Sequence, residues 1–169
     1  MRKLAAFVAL AALATPAVAE LPTSSSAQIA EAVTDCWSAV SEAPVNAHDL
    51  ETKGWRKASM RSAKGQDVPA GFDLYRKSGT GALVFISKNI DPRGCLVVSS
   101  AGKAEDVSAA IPLILAGMRG TDPATEVKKV SAQEVGFFAL PKAALLALTG
   151  TPAKPGVRIQ VSYTAPEKK

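Results

Sequence analysis

The chain has 169 residues, with 20 Lys and Arg against 15 Asp and Glu, a formal charge of +5, and 5% aromatic residues. A charge this mild is not the footprint of a dedicated nucleic-acid binder, and so few rings make a poor base-stacking platform, so nucleic acid is not expected as a partner. One histidine and two cysteines are too few for a zinc centre, and no cofactor or metal site is expected.

Arg2 and Lys3 precede an apolar run from Leu4 to Ala14, and Ala17-Val18-Ala19 stands just before Glu20. Charge, apolar run and small-residue cleavage site in that order predict a secretory signal peptide over residues 1–19. The run is shorter than the roughly 20 residues a helix needs to cross a bilayer, so no membrane span is expected in the mature chain. Removal leaves 169 − 19 = 150 residues carrying 18 basic and 15 acidic groups, enough for one hydrophobic core. The expected organisation is a flexible leader at 20–26, a single domain at 27–164 and a polar tail at 165–169.

In an oxidising compartment Cys36 and Cys95, 59 positions apart, are expected to form a structural disulfide, the alternatives being two separate buried thiols or a metal pair. They are too distant for a redox CxxC pair. On the loop-entropy model a cross-link of that span stabilises by about 4 kcal/mol.

Ser25 followed by Gln28 fits a capping box. Ile29, Val33, Cys36, Trp37 and Val40 recur at helical spacing, which predicts a helix over 26–41 with Cys36 on its apolar face. A short turn of helix is expected around His48-Asp49-Leu50. Strands follow at Trp55–Met60, Phe72–Lys77, Ala82–Ser87 and Gly94–Ser99. Their short connections, Ser78–Gly81 and Asn89–Gly94, allow only antiparallel neighbours. Leu83–Ile86 and Cys95–Val98 are apolar throughout and read as central strands covered on both sides. A second helix is expected from Lys103–Glu105 to Met118, kinked or split at Pro112. Beyond it come a strand at Glu126–Val130, an apolar patch at Phe137–Leu140, a short helix from Pro141 to Leu148 with Gly150 past its end, a turn at 151–156, and a strand in which Val157, Ile159, Val161 and Tyr163 alternate with polar residues. There is no internal repeat. The order predicts an α+β fold: a largely antiparallel sheet, a four-strand meander plus C-terminal strands, with an N-terminal helix and a second helix packed on it.

Motifs for chemistry are sparse. His48 has Asp49 beside it but no nucleophile elbow, and reads as a solvated loop histidine. Ser100 and Lys103 have the S-x-x-K spacing of some acylating enzymes, without the partner motifs, where a strand-to-helix connection accounts for the same residues. Gly79-Thr80-Gly81 lacks the lysine and following helix of a phosphate loop. The local shift in composition is Lys53, Arg56, Lys57, Arg61 and Lys64 around Trp55, five bases without an acid between Thr52 and Gln66. One reading is an electropositive surface for an anionic envelope component or an acidic protein, with Trp55 as anchor. The other is an edge strand blunted by charge, with Trp55 in the core.

The resulting expectation is a small exported, non-catalytic binding protein of the periplasm or the exterior of a bacterium. The alternatives are an envelope hydrolase using Ser100 and Lys103 or a carboxylate pair assembled in space, and an inhibitor-type protein acting through the loop Gly65–Gly71.

Overall fold

The computed structural model describes residues 22–40, 45–62, 64–67, 71–87, 94–151 and 154–163. The expected signal peptide, the turn at 89–93 and the polar tail at 165–169 lie outside the described residues.

Ser25 caps the first helix, α1 (Ser26–Ala39), and the reciprocal box is present: the Gln28 N–H donates to Ser25 Oγ at 3.3 Å and the Ser25 N–H to Gln28 Oε1 at 2.9 Å. The expected short turn of helix is α2 (Ala47–Thr52), capped by Asn46, and it delivers the chain to β1 (Arg56–Ala58). Next come β2 (Phe72–Arg76), β3 (Leu83–Ser87) and β4 (Gly94–Ser100), each antiparallel to the last. Then α3 (Ala104–Thr121) leads into β5 (Glu126–Lys129), β6 (Glu134–Ala139), β7 (Lys142–Thr151) and β8 (Lys154–Tyr163), again an antiparallel succession. All the strands join in one sheet of order β1-β2-β3-β4-β8-β7-β6-β5. The fold is α+β, as expected.

The expected helix at 141–148 is instead strand β7. Lys-Ala-Ala-Leu-Leu-Ala-Leu favours helix locally, but ladders to β6 on one side and β8 on the other satisfy every peptide group of the segment. Ala144 and Leu146 then point into the core while Leu145 is exposed, a period of two. Gly150 is not a helix terminator. It sits at φ +95° in the β7–β8 hairpin, where an added Cβ would lie 2.0 Å from the Lys154 carbonyl oxygen. The last strand accordingly begins at Lys154, and the apolar patch at 137–140 is the end of β6 and its turn. Pro112 does not split α3, because it and Ser108 face solvent and water can satisfy the carbonyl that loses its partner.

Although the sequence has no repeat, the topology does. Residues from α1 to β4 and from α3 to β8 each form a helix followed by a four-strand meander, and the halves meet at an antiparallel β4–β8 seam, as a two-fold axis normal to the sheet would relate them.

Both long helices lie on one face of this sheet. There α1 touches β3, β4 and β8, and α3 touches β8 and α1. Beneath them Val84, Val97, Ile159, Val161 and Leu146 lose all contact with solvent, as do Trp37, Trp55 and Phe137. Burial of each large side chain is worth about 1.5–3 kcal/mol. The helices approach closely at Gly117, where a Cβ would stand 2.3 Å from Thr34 Oγ1. The Cys36–Cys95 disulfide joins α1 to β4 across a Cα separation of 6.0 Å, as the apolar stripe required. Ser24, at the C-terminal end of the expected leader, is held by the sheet: its N–H donates to the Ser100 carbonyl at 2.8 Å, and its hydroxyl meets Ser99 Oγ at 2.8 Å.

Candidate interaction face

The basic residues around Trp55 do not assemble into one surface. Trp55 is fully buried and donates its indole N–H to Asp35 Oδ2 at 2.8 Å, so it is core and not an exposed anchor. Lys53 pairs with the same carboxylate at 3.3 Å, and Lys77 lies 5.8 Å above the indole ring while bonding Glu31 at 2.7 Å. Arg56 projects from the opposite face of the sheet and donates to the Glu51 and Trp55 carbonyls. Lys57 pairs with Asp73 at 2.8 Å, a contact that holds its ammonium above the usual lysine range. Arg61 pairs with Asp67 at 3.4 Å between two exposed side chains, and Lys64 is exposed beside them. Strand alternation separates these charges, and neighbouring acids from elsewhere in the chain neutralise three of them.

A second cluster repeats the first. Trp37 donates its indole N–H to Asp122 at the end of α3, and Lys142 bonds that carboxylate at 3.2 Å while sitting 5.8 Å over the Trp37 ring. Both tryptophans come from the first half of the chain, and each is held by an aspartate and a lysine, Trp55 within that half and Trp37 by Asp122 and Lys142 of the other. Sequence reading missed both sets because the partners are 20 and 85 positions apart.

The sequence's candidates for chemistry are not drawn together among the described residues. Ser100 and Lys103 share no hydrogen bond; Lys103 is exposed and its backbone N–H donates to Asp106. His48 is exposed on α2. No three His, Cys, Asp or Glu side chains gather among the described residues. Of the loop Gly65–Gly71, residues 68–70 lie outside the described residues. An open cleft of about 490 Å³ at the start of α3 is lined by Val107, Ser108, Gln133, Thr149, Thr151 and Pro155, among others. It holds no ionisable group, and so no acid or base to move a proton.

What the fold leaves open is the helix-free face of the sheet. Register places Leu74, Phe85 and Leu96 in one row across β2, β3 and β4, with Phe72 and the pair Leu83 and Val98 in the rows to either side. Leu74 is buried and the other five are half-buried, and no described helix lies over them. Phe72 and Phe85 meet edge to face with centroids 5.1 Å apart. The sequence implies cover on both sides of β3 and β4; the helices of the described residues cover one side only. The row of Leu83 and Val98 continues into Arg76 on β2 and Arg158 on β8. Both arginines are exposed, and neither has a hydrogen bond or ion pair among the described residues. No acid points from β1 to β4 or from the described part of β8 on this side, because Asp73 faces the helices. The face therefore combines an apolar band with unneutralised positive charge. No helix of the described residues is long and apolar enough to cross a membrane. Comparison with protein-family models, with curated proteins and with solved structures gives no match for this chain.

Proposed function

We propose that the chain is an exported, non-catalytic binding protein of the bacterial periplasm or exterior, and that its binding element is the helix-free face of the sheet. The partner is an acidic protein or an anionic envelope component that presents apolar surface to Phe72, Phe85 and Leu96 and acid groups to Arg76 and Arg158. The observation that carries this reading is the apolar band on β2 to β4 with two arginines in the adjoining row that are unpaired among the described residues. Apolar surface supplies affinity, and charge supplies steering and choice of partner. Export is supported by the disulfide, which persists in oxidising compartments, and by the order of charge, apolar run and small residues at the start of the chain.

Photo-crosslinking in the producing cell tests it. A photoreactive side chain at position 85 or 96 should give a covalent adduct that weakens when Arg76 and Arg158 are both changed to Glu. The same group at Leu113, exposed on α3, should give none. Adducts at Leu113 alone, or adducts at Phe85 indifferent to the arginines, would remove the helix-free face from consideration.

A further inference from the structure

We infer that an occupant of this face is a second copy of the chain, seated face to face about a two-fold axis that runs parallel to the strands along the β4–β8 seam. The inference rests on the reading of the helix-free face as the binding element and departs from it in the occupant: a copy of this chain offers Glu134 to Arg76 and no acid to Arg158.

Shape comes first. A twisted sheet is saddle-shaped, and a two-fold rotation about an axis along its central strands carries the saddle onto a parallel saddle, so two copies nest over their whole width in the aligned packing of β-sandwiches. Placing the axis at the seam overlays all eight strands; any other strand-parallel axis leaves strands overhanging. Eight strands spaced about 4.8 Å apart are roughly 38 Å wide, and three rows of outward side chains add a depth of roughly 20 Å. That is about 750 Å² in projection, close to the ~800 Å² per partner of a standard stable interface.

Chemistry then agrees with shape. The rotation lays β2 over β6 of the other copy, since each is the third strand from the seam. Arg76 on β2 and Glu134 on β6 belong to one row, which runs Arg76, Leu83, Val98, Arg158, Ala147, Glu134. Each therefore meets the other across the interface, twice per dimer. Neither side chain has an ion-pair partner among the described residues of its own chain. In the next row Phe85 meets Leu145, which is 39% exposed in the single chain, and Leu74 comes over the Phe138 ring, which lies across Gly136. The third row brings Phe72 over Phe138. Arg158 faces Val98 near the axis, in a row at the rim of the shorter strands β2 and β3, from which a long side chain can reach water. An isologous interface demands this kind of self-complementarity.

Sedimentation velocity on the oxidised chain over a concentration series tests the inference. The expected result is a reversible monomer–dimer equilibrium in which Arg76→Glu or Glu134→Arg alone weakens the dimer about tenfold or more, and the two together restore it to within about threefold. Both positions are partly or fully exposed, so each variant should fold, and circular dichroism verifies it. Phe85→Asp should yield monomer. A chain that stays monomeric at every concentration, or a dimer unmoved by either reversal, overturns the inference. In that event the wider reading still stands if the position-85 adduct persists in cells with a mass other than that of two chains, and falls with it if no adduct forms.

Discussion

Replacing Asp35 with Ala isolates the strongest polar contact in the first half of the molecule. Asp35 is itself buried, and its carboxylate accepts from the fully buried Trp55 indole and faces Lys53 and Lys77. The substitution leaves a buried N–H without a partner, at a cost of about 1–3 kcal/mol. Lys53 is part-exposed, so its pairing adds at most about 1 kcal/mol, and Lys77 keeps Glu31 at 2.7 Å. The total is about 1–4 kcal/mol, or a fall in melting temperature of roughly 2–16 °C for a domain of this size. Asp35→Asn retains an acceptor oxygen and should lose only about 1 kcal/mol. Urea unfolding followed by circular dichroism gives both numbers. In a Trp55→Phe background no N–H remains to be orphaned, so Asp35→Ala should cost at least about 1 kcal/mol less than in the parent. Equal losses in the two backgrounds would refute the assignment of the energy to the indole–carboxylate bond.

Reduction, or Cys36→Ser with Cys95→Ser, should lower stability by about 4 kcal/mol, and neither thiol should alkylate in the folded oxidised chain; both sulfurs reacting without reductant would contradict the α1–β4 link. Gly117→Ala should destabilise by about 1–3 kcal/mol through collision with Thr34, and Thr34→Ala in the same chain should recover most of that loss; additive losses would mean that the helices do not meet there. Burial raises the Tyr75 phenol above its ordinary value of 10.0, and the Asp73 charge acts in the same direction. Because the folded value is the higher, the stability linked to Tyr75 is fully present below pH 10 and is lost as pH rises through the folded value. Absorbance at 295 nm in a Tyr163→Phe variant should place the phenolate midpoint higher in the folded chain than in urea; a lower midpoint would refute the burial argument.

Elements whose signals are local were legible in the sequence. The Ser25–Gln28 cap, the apolar faces of α1 and α3, the glycine turn between β2 and β3 and the alternation in β8 each depend on residues within a few positions of one another. The β7 segment was not, because Ala, Leu and Lys carry a helical preference that only pairing with β6 and β8 overrides, and both partners are fixed by tertiary structure. The basic stretch around Trp55 was legible in one of its two readings, an edge strand with Trp55 in the core. Its bases are close in sequence, but alternation sends Arg56 and Lys57 to opposite faces, and Asp35, Asp67 and Asp73 arrive from elsewhere to pair with three of them. The helix-free face was hidden because a continuous apolar run looks the same whether helices cover one side or both. Arg76 and Arg158 become neighbours of that run only through the β4–β8 seam, which joins the two halves.

Hydroxyl-radical footprinting of the dilute chain tests most directly whether that face is open. Phe85 and Phe137 share the same intrinsic reactivity, yet Phe85 lies half-buried on the helix-free side and Phe137 is fully buried under the helices. Oxidation of Phe85 should be several-fold faster and should fall when a partner binds. Equal protection of the two rings in dilute solution would mean that the face is already covered, and would contradict the account.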